Sequence, residues 1–186
     1  MLKSVKIENF RGFKSFELQQ LGRINLLVGE NNSGKTSILE AIQLLCSGTN
    51  LEPLGELMIN RGEYLWSDNP REERELDIRH LFYDHEFDIN SQFSISGIND
   101  NIKEQFSVTI GNIKLHIDED FDKLDEQFKR KIIDNLSSDI NNLNLRVVWQ
   151  KKDELQEVLN LSLSDNNCLS LRHIRRSSRD KKKSIL

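Results

Sequence analysis

The run Ile24-Asn25-Leu26-Leu27-Val28-Gly29-Glu30-Asn31-Asn32-Ser33-Gly34-Lys35-Thr36-Ser37-Ile38 decides the fold, because it reads as strand, loop and helix in that order. Ile24 to Val28 is nearly continuous in apolar side chains, the pattern of a short strand covered on both faces in a parallel sheet. Ile38, Ile42 and Leu45 then recur at helical spacing, and Leu39, Ala41 and Leu44 widen the stripe. Between them, Gly29 to Thr36 satisfies G-x-x-x-x-G-K-[ST]. The two glycines let the backbone wrap an anion closely. The amides between them then point inward at a helix N-terminus.

That loop predicts a bound nucleoside triphosphate. Lys35 is expected to reach the β- and γ-phosphate oxygens, and is the candidate catalytic residue. Thr36 is expected to offer its hydroxyl to magnesium, while Gly29, Asn31, Asn32, Ser33, Gly34 and Ser37 complete the binding set. With Gly at about 7% of residues, a chance match to four fixed positions is on the order of one per cent in a chain this long. The expected cofactors are ATP and Mg.

Outward from the loop, Leu2, Val5, Ile7 and Phe10 precede Arg11-Gly12, and Phe13, Phe16 and Leu18 follow. This predicts two antiparallel strands joined by a glycine-containing turn. Residues 48 to 69 read as a connection containing a helix, with turns at Gly48, Pro53, Gly55 and Gly62 and with Met58, Ile59, Leu65 and Trp66 as anchors. From Leu76 the pattern turns to strands. Leu76 and Ile78, Leu81-Phe82, Phe93 and Ile95, Phe106 to Ile110, and Ile113 to Ile117 have period two, with Gly111-Asn112 expected as a hairpin turn. Phe121, Leu124, Phe128, Ile132 and Leu136 predict an amphipathic helix. Val147-Val148-Trp149 and Val158 to Leu163 predict further strands, with Asp165-Asn166-Asn167 turning the chain back into Cys168 to Leu171.

The sequence resembles the RecF, SMC and OLD group of ABC-type, AAA-like ATPases. Val5-Lys6-Ile7-Glu8-Asn9-Phe10-Arg11-Gly12-Phe13 is similar to that group's entry strand pair, and Gly29 to Ile42 to its loop and helix. The Asn-Asn-Ser-Gly-Lys-Thr form and Ile78-Arg79-His80-Leu81-Phe82 are most similar to OLD-family ATPases of antiphage defence. The resemblance implies an α/β P-loop NTPase fold, the N-terminal lobe of an ABC-type head with an antiparallel β-subdomain. It also implies that Arg11 lies beside the phosphates and that His80 occupies the γ-phosphate-sensing loop. Residues 1–171 form the expected lobe, β-rich from about 76, and 172–186 a basic tail or linker to a further C-terminal part.

Composition sets the remaining bounds. The 186 residues are 37% hydrophobic and 30% charged, enough for one domain with a core. Cys46 and Cys168 make neither a disulfide framework nor a metal-ligand spacing, so a reducing cytoplasm is expected, with Cys46 a small core residue. Lys3, Lys6 and Glu8 interrupt any signal-peptide core, and no stretch has the length of a membrane span. The net charge is −4, yet the segment from Arg172 to Lys183 sets seven cations against Asp180. DNA contact through that tail would be salt-dependent; a solvated linker is the alternative.

Two clusters invite chemistry. Ile117-Asp118-Glu119-Asp120 invites a Walker B reading, but the strand before it alternates and an acidic turn is favoured. His80, Asp84, His85 and Glu86 fit no standard metal spacing and read as a polar strand end. A signature loop, Walker B strand, D-loop, switch histidine and nuclease constellation are not legible before Leu186. The expectation is therefore an ATPase that forms an ATP-sandwiched homodimer or higher oligomer, this segment binding nucleotide better than it turns it over. It would act with a nuclease partner or fused nuclease domain and without a membrane. A nucleotide-gated regulatory or scaffold subunit and a small P-loop kinase are the alternatives.

Overall fold

The computed structural model describes residues 1–66, 74–112, 143–152, 156–164, 166–172 and 174. The chain opens with β1 (Leu2–Phe10) and β2 (Phe13–Leu18), antiparallel partners with Ile7 opposite Phe16, as the alternating pattern predicts. Arg11, at φ 52, lies in the turn between them. After the phosphate loop come α1 (Lys35–Ser47) and α2 (Glu52–Asn60), then the short β3 (Tyr64–Leu65) and β4 (Glu75–Leu76). β5 (Gln92–Asn99), β6 (Ile102–Asn112), β7 (Leu143–Lys151), β8 (Glu157–Ser162) and β9 (Leu169–Ser170) follow.

The larger sheet has the order β2-β1-β5-β6-β7-β8, and each neighbouring pair is antiparallel. Its register explains the core. Ile7 pairs with Ile95, Ile95 with Phe106, Val108 with Val147, and Leu145 with Leu161, so alternate positions on successive strands supply one continuous buried face. Lys6, Ser94, Ser96, Gln105 and Arg146 take the intervening positions. An antiparallel sheet buried on one side reads in this alternation.

Helix α1 covers the buried face with Ile38, Ala41, Leu44 and Leu45, and α2 adds Leu54 and Met58, with Leu51 just before it. Phe10, Phe93, Phe82 and Phe106 form an aromatic seam, with Phe93 5.2 Å from Phe10 and 5.4 Å from Phe82. Gly97 of β5 lies directly beneath α1. A Cβ there would stand 2.8 Å from Leu45 Cδ2, 2.9 Å from Leu2 Cδ1 and 3.1 Å from the Ser4 carbonyl. A second, three-stranded sheet, β3-β4-β9, sits beside the first.

Several expectations are corrected. Ile24 to Val28 forms no strand; Ile24, Leu26 and Val28 are 93%, 85% and 82% exposed. Apolar content makes a strand only where neighbours accept its hydrogen bonds, and no described strand pairs with this run. Gly111-Asn112 is not a turn, since β6 runs on through both to pair with Asn144 and Leu143. The favoured two-residue turn places Asn before Gly, so the reversed order was a weak signal.

Leu76 and Ile78 do not share a strand. Asp77 accepts a bond from the Arg79 amide and starts a 3-10 turn at Ile78–Leu81, leaving Phe82 a single bridge to Phe10. The turn near Asn167 forms, with the Ser164 amide bonded to the Cys168 carbonyl, but β9 leaves the large sheet and pairs with β4 instead. Cys46 and Leu39 are exposed on α1, and Leu65 and Trp66 are exposed rather than anchors. The expected strand 113–117, the helix 121–136, the acidic group Asp118-Glu119 and the basic positions beyond Ile174 lie outside the described residues.

Candidate functional site

The site begins with backbone geometry. Gly34 caps α1 at φ 85, ψ 3, a left-handed conformation suited to glycine, and Asn32 also has positive φ at 63. A Cβ on Gly34 would stand 2.5 Å from Phe13 Cζ, so glycine is required twice, by φ and by the ring seated on it. A Cβ on Gly29 would meet Ser33 Oγ at 2.9 Å. No side chain caps α1 and its first turn carries no acid, so its opening amides have no side-chain acceptor at the positive end of the helix dipole.

Residues Asn31 to Ser37 line a cavity of about 240 Å³, and Arg61 from the end of α2 closes its wall. Lys35 Nζ donates to the carbonyls of Gly29 at 2.9 Å and Glu30 at 2.5 Å and to Ser33 Oγ at 3.2 Å, folded over the loop. Thr36 is exposed at the cavity and Ser37 is buried beneath it. The donors fit the expected ligand: an amide nest and a lysine for phosphate oxygens, and a threonine hydroxyl for Mg. The structure thus brings Asn31, Asn32, Ser33, Gly34, Lys35, Thr36 and Ser37 together, with Gly29 closing the loop behind them.

Arg11 is not in that cavity. Its side chain is 4% exposed and forms a two-pronged pair with Glu63, Nη1 to Oε1 at 2.5 Å and Nη2 to Oε2 at 3.1 Å. Its Nε lies 2.8 Å from Glu40 Oε2, and its backbone amide donates to the Leu81 carbonyl. The planar guanidinium matches a carboxylate with two parallel bonds, and Glu63 lies close enough to capture it. Removing either partner of so buried a pair would strand the other's charge.

Glu40 is shared. Its other oxygen accepts from Arg61 Nε at 2.6 Å, and Arg61 Nη2 reaches Ser37 Oγ at 3.4 Å. Sequence reading passed over Arg61. Its signal was Glu40 itself, an acid three residues after Ser37 and four before Leu44 on the buried helix face, which demands a cation nearby. Phe13 was read as a strand residue, with nothing in its spacing to mark its contact with Gly34.

His80 is also away from the cavity. It stacks edge-on with His85 at 5.1 Å and lies 3.7 Å from Asp77. The Arg79 side chain bonded to Asp77 holds that carboxyl below its ordinary range. Nearby Cys168 is buried, which pushes its thiol up to about 11, with Asp77 and Glu75 adding to the effect. Among the described residues no group of three His, Cys, Asp or Glu gathers as a metal site, and no helix is long and apolar enough to cross a membrane.

Comparison with known proteins supplies the family. An uncharacterized protein of Methanocaldococcus jannaschii is 39% identical over 69 residues, 34% of this chain and 32% of the relative. The DNA replication and repair protein RecF of Clostridioides difficile is 49% identical over 47 residues, covering 25% of this chain and 13% of RecF. RecF of Rickettsia massiliae is 50% identical over 50 residues, 27% of this chain and 14% of RecF. The chain therefore matches at most about a third of the length of these relatives. The profile of the AAA ATPase domain family matches residues 1–185, and the chain belongs to that family, as a P-loop α/β domain built on an antiparallel sheet.

Proposed function

We propose that this chain is the nucleotide-binding lobe of an ATPase that binds Mg-ATP, dimerises around it, and couples binding and hydrolysis to DNA. One observation carries the reading: a left-handed Gly34 held against Phe13 delivers the uncapped amides of α1 and Lys35 to a single cavity. Lys35 and the amides of Asn31 to Gly34 bind the phosphate chain, and the Thr36 hydroxyl would hold a Mg ion, which would supply charge neutralisation. Similarity to RecF, a DNA replication and repair protein by name, supports the DNA side of the proposal. The finer assignment is an OLD-type ATPase of antiphage defence controlling a nuclease in the cytoplasm. It rests on the Asn-Asn-Ser-Gly-Lys-Thr loop and the Ile78 to Phe82 stretch.

The test is thermal. At a Mg-ATP concentration 100 times its dissociation constant, linkage adds about 2.7 kcal/mol to the folded state. The melting transition should rise with Mg-ATP in wild type and stay put in Lys35→Ala. A well-folded sample that responds to neither ATP nor GTP sinks the assignment. Solution mass with and without Mg-ATP tests dimerisation. A protein monomeric at saturating ATP that still turns it over points to the kinase alternative.

A further inference from the structure

A nucleoside triphosphate brings several negative charges into a small volume, and a single lysine balances part of them. Arg61 is the other cation lining the loop cavity. It is there because α2 ends at Asn60 and the chain turns through Arg61 and Gly62, the latter at φ 73, setting Arg61 at the cavity wall and Glu63 under Arg11. The two arginines are therefore deployed differently. Arg11 is sealed in its pair with Glu63, whereas the Arg61 side chain is 34% exposed.

The contacts of Arg61 divide along its guanidinium. Nε is fixed by Glu40 at 2.6 Å. Nη2 has a long 3.4 Å contact to Ser37 Oγ, the residue next to Thr36. A phosphate oxygen could replace that weak contact while the strong one holds the side chain in place. Glu40 is itself buried on α1, with its second oxygen at ion-pair distance, 2.8 Å, from Arg11 Nε.

We propose that Arg61 contacts the phosphate chain of the bound nucleotide and that Glu40 is its positioning residue. This deepens the nucleotide reading of the loop and rests on it. The ligand class is a nucleoside polyphosphate. The role first expected of Arg11 passes to Arg61, and Arg11 serves to immobilise the carboxylate that aims it.

Titration calorimetry with Mg-ATP and Mg-ADP on wild type, Lys35→Ala, Arg61→Ala, Arg61→Lys and Glu40→Gln tests this. Arg61→Ala should weaken binding roughly 10- to 100-fold, as expected for loss of a charge-assisted bond, and Arg61→Lys should restore part of it. Glu40→Gln should weaken binding several-fold in wild type but add nothing in the Arg61→Ala background, a non-additivity that a merely structural role would not produce. Should Arg61→Ala fail to fold, the Arg61 Nε resonance of wild type must still shift on titration with Mg-ATP. A folded Arg61→Ala that binds within twofold of wild type, or an Nε resonance unmoved at saturation, overturns the proposal and leaves the loop assignment standing. A wild type that binds neither nucleotide overturns both.

Discussion

Two apolar runs flank the phosphate loop, and they meet opposite fates. Downstream, Ile38, Ala41, Leu44 and Leu45 are buried against the sheet, and α1 is held to β1, β5 and β6. Upstream, Ile24, Leu26 and Val28 stand almost wholly in solvent. The two runs are similar in composition. What differs is whether other elements present a complementary face, so hydrophobicity specifies a demand for burial and topology decides whether it is met.

The comparison can be broken or sharpened by substitution. The largest effect should come from chemistry on the downstream side. On the proposed function, Lys35→Ala removes a charge from the phosphates and should lower ATP hydrolysis roughly 100-fold or more in a steady-state assay. Next, Leu44→Ala should cost about 2–5 kcal/mol in urea unfolding, since Leu44 is fully buried on α1. Gly34→Ala combines a positive φ with the Phe13 contact and should cost about 1–3 kcal/mol, with nucleotide affinity falling as well.

A pH effect also belongs to the packed region. An unfolded thiol ionises near 8.5 and the folded Cys168 near 11, so the folded state keeps its proton longer. Stability from this group is intact below the unfolded value and is lost as pH rises through that window. The urea midpoint of wild type should therefore fall more steeply above about pH 8.5 than that of Cys168→Ala; parallel curves would remove the shift. The smallest effect should be Leu26→Ser, within about 0.5 kcal/mol for an exposed site. A loss as large as that of Leu44→Ala would show that the upstream run is packed in solution, and would erase the contrast.

How much was legible in the sequence follows the same division. Alternating apolar positions marked β1, β2, β5 and β6, and apolar runs marked β7 and β8, because these strands build a single core, and the helical stripe marked α1 for the same reason. The loop was legible because its glycines and lysine answer to local geometry. What failed depended on distant partners. Gly111 looks like a turn residue until Asn144 pairs with it, and Ile24 to Val28 looks like a strand without regard to its neighbours. Asp77 diverted a strand pattern into a 3-10 turn by a bond to one amide, a choice that alternation does not encode. Cys46 falls one position beyond Leu45, far enough round the helix to leave the core. Of the candidate site, the glycine pattern marked the loop that lines the cavity, whereas Arg11 lies outside that cavity and Arg61 went unmarked, because each arginine is placed by which of Glu40 and Glu63 it can reach.

Gly97 makes an absent side chain part of the seat of α1. Leu45 rests on it, and Leu45 is ten residues from Lys35, about 15 Å along the helix. A methyl group at Gly97 would have to displace the tips of Leu45 and Leu2 and crowd the Ser4 carbonyl at once. The helix that carries Lys35 and Thr36 at its first turn is thus seated, at its far end, on a position bearing no side chain.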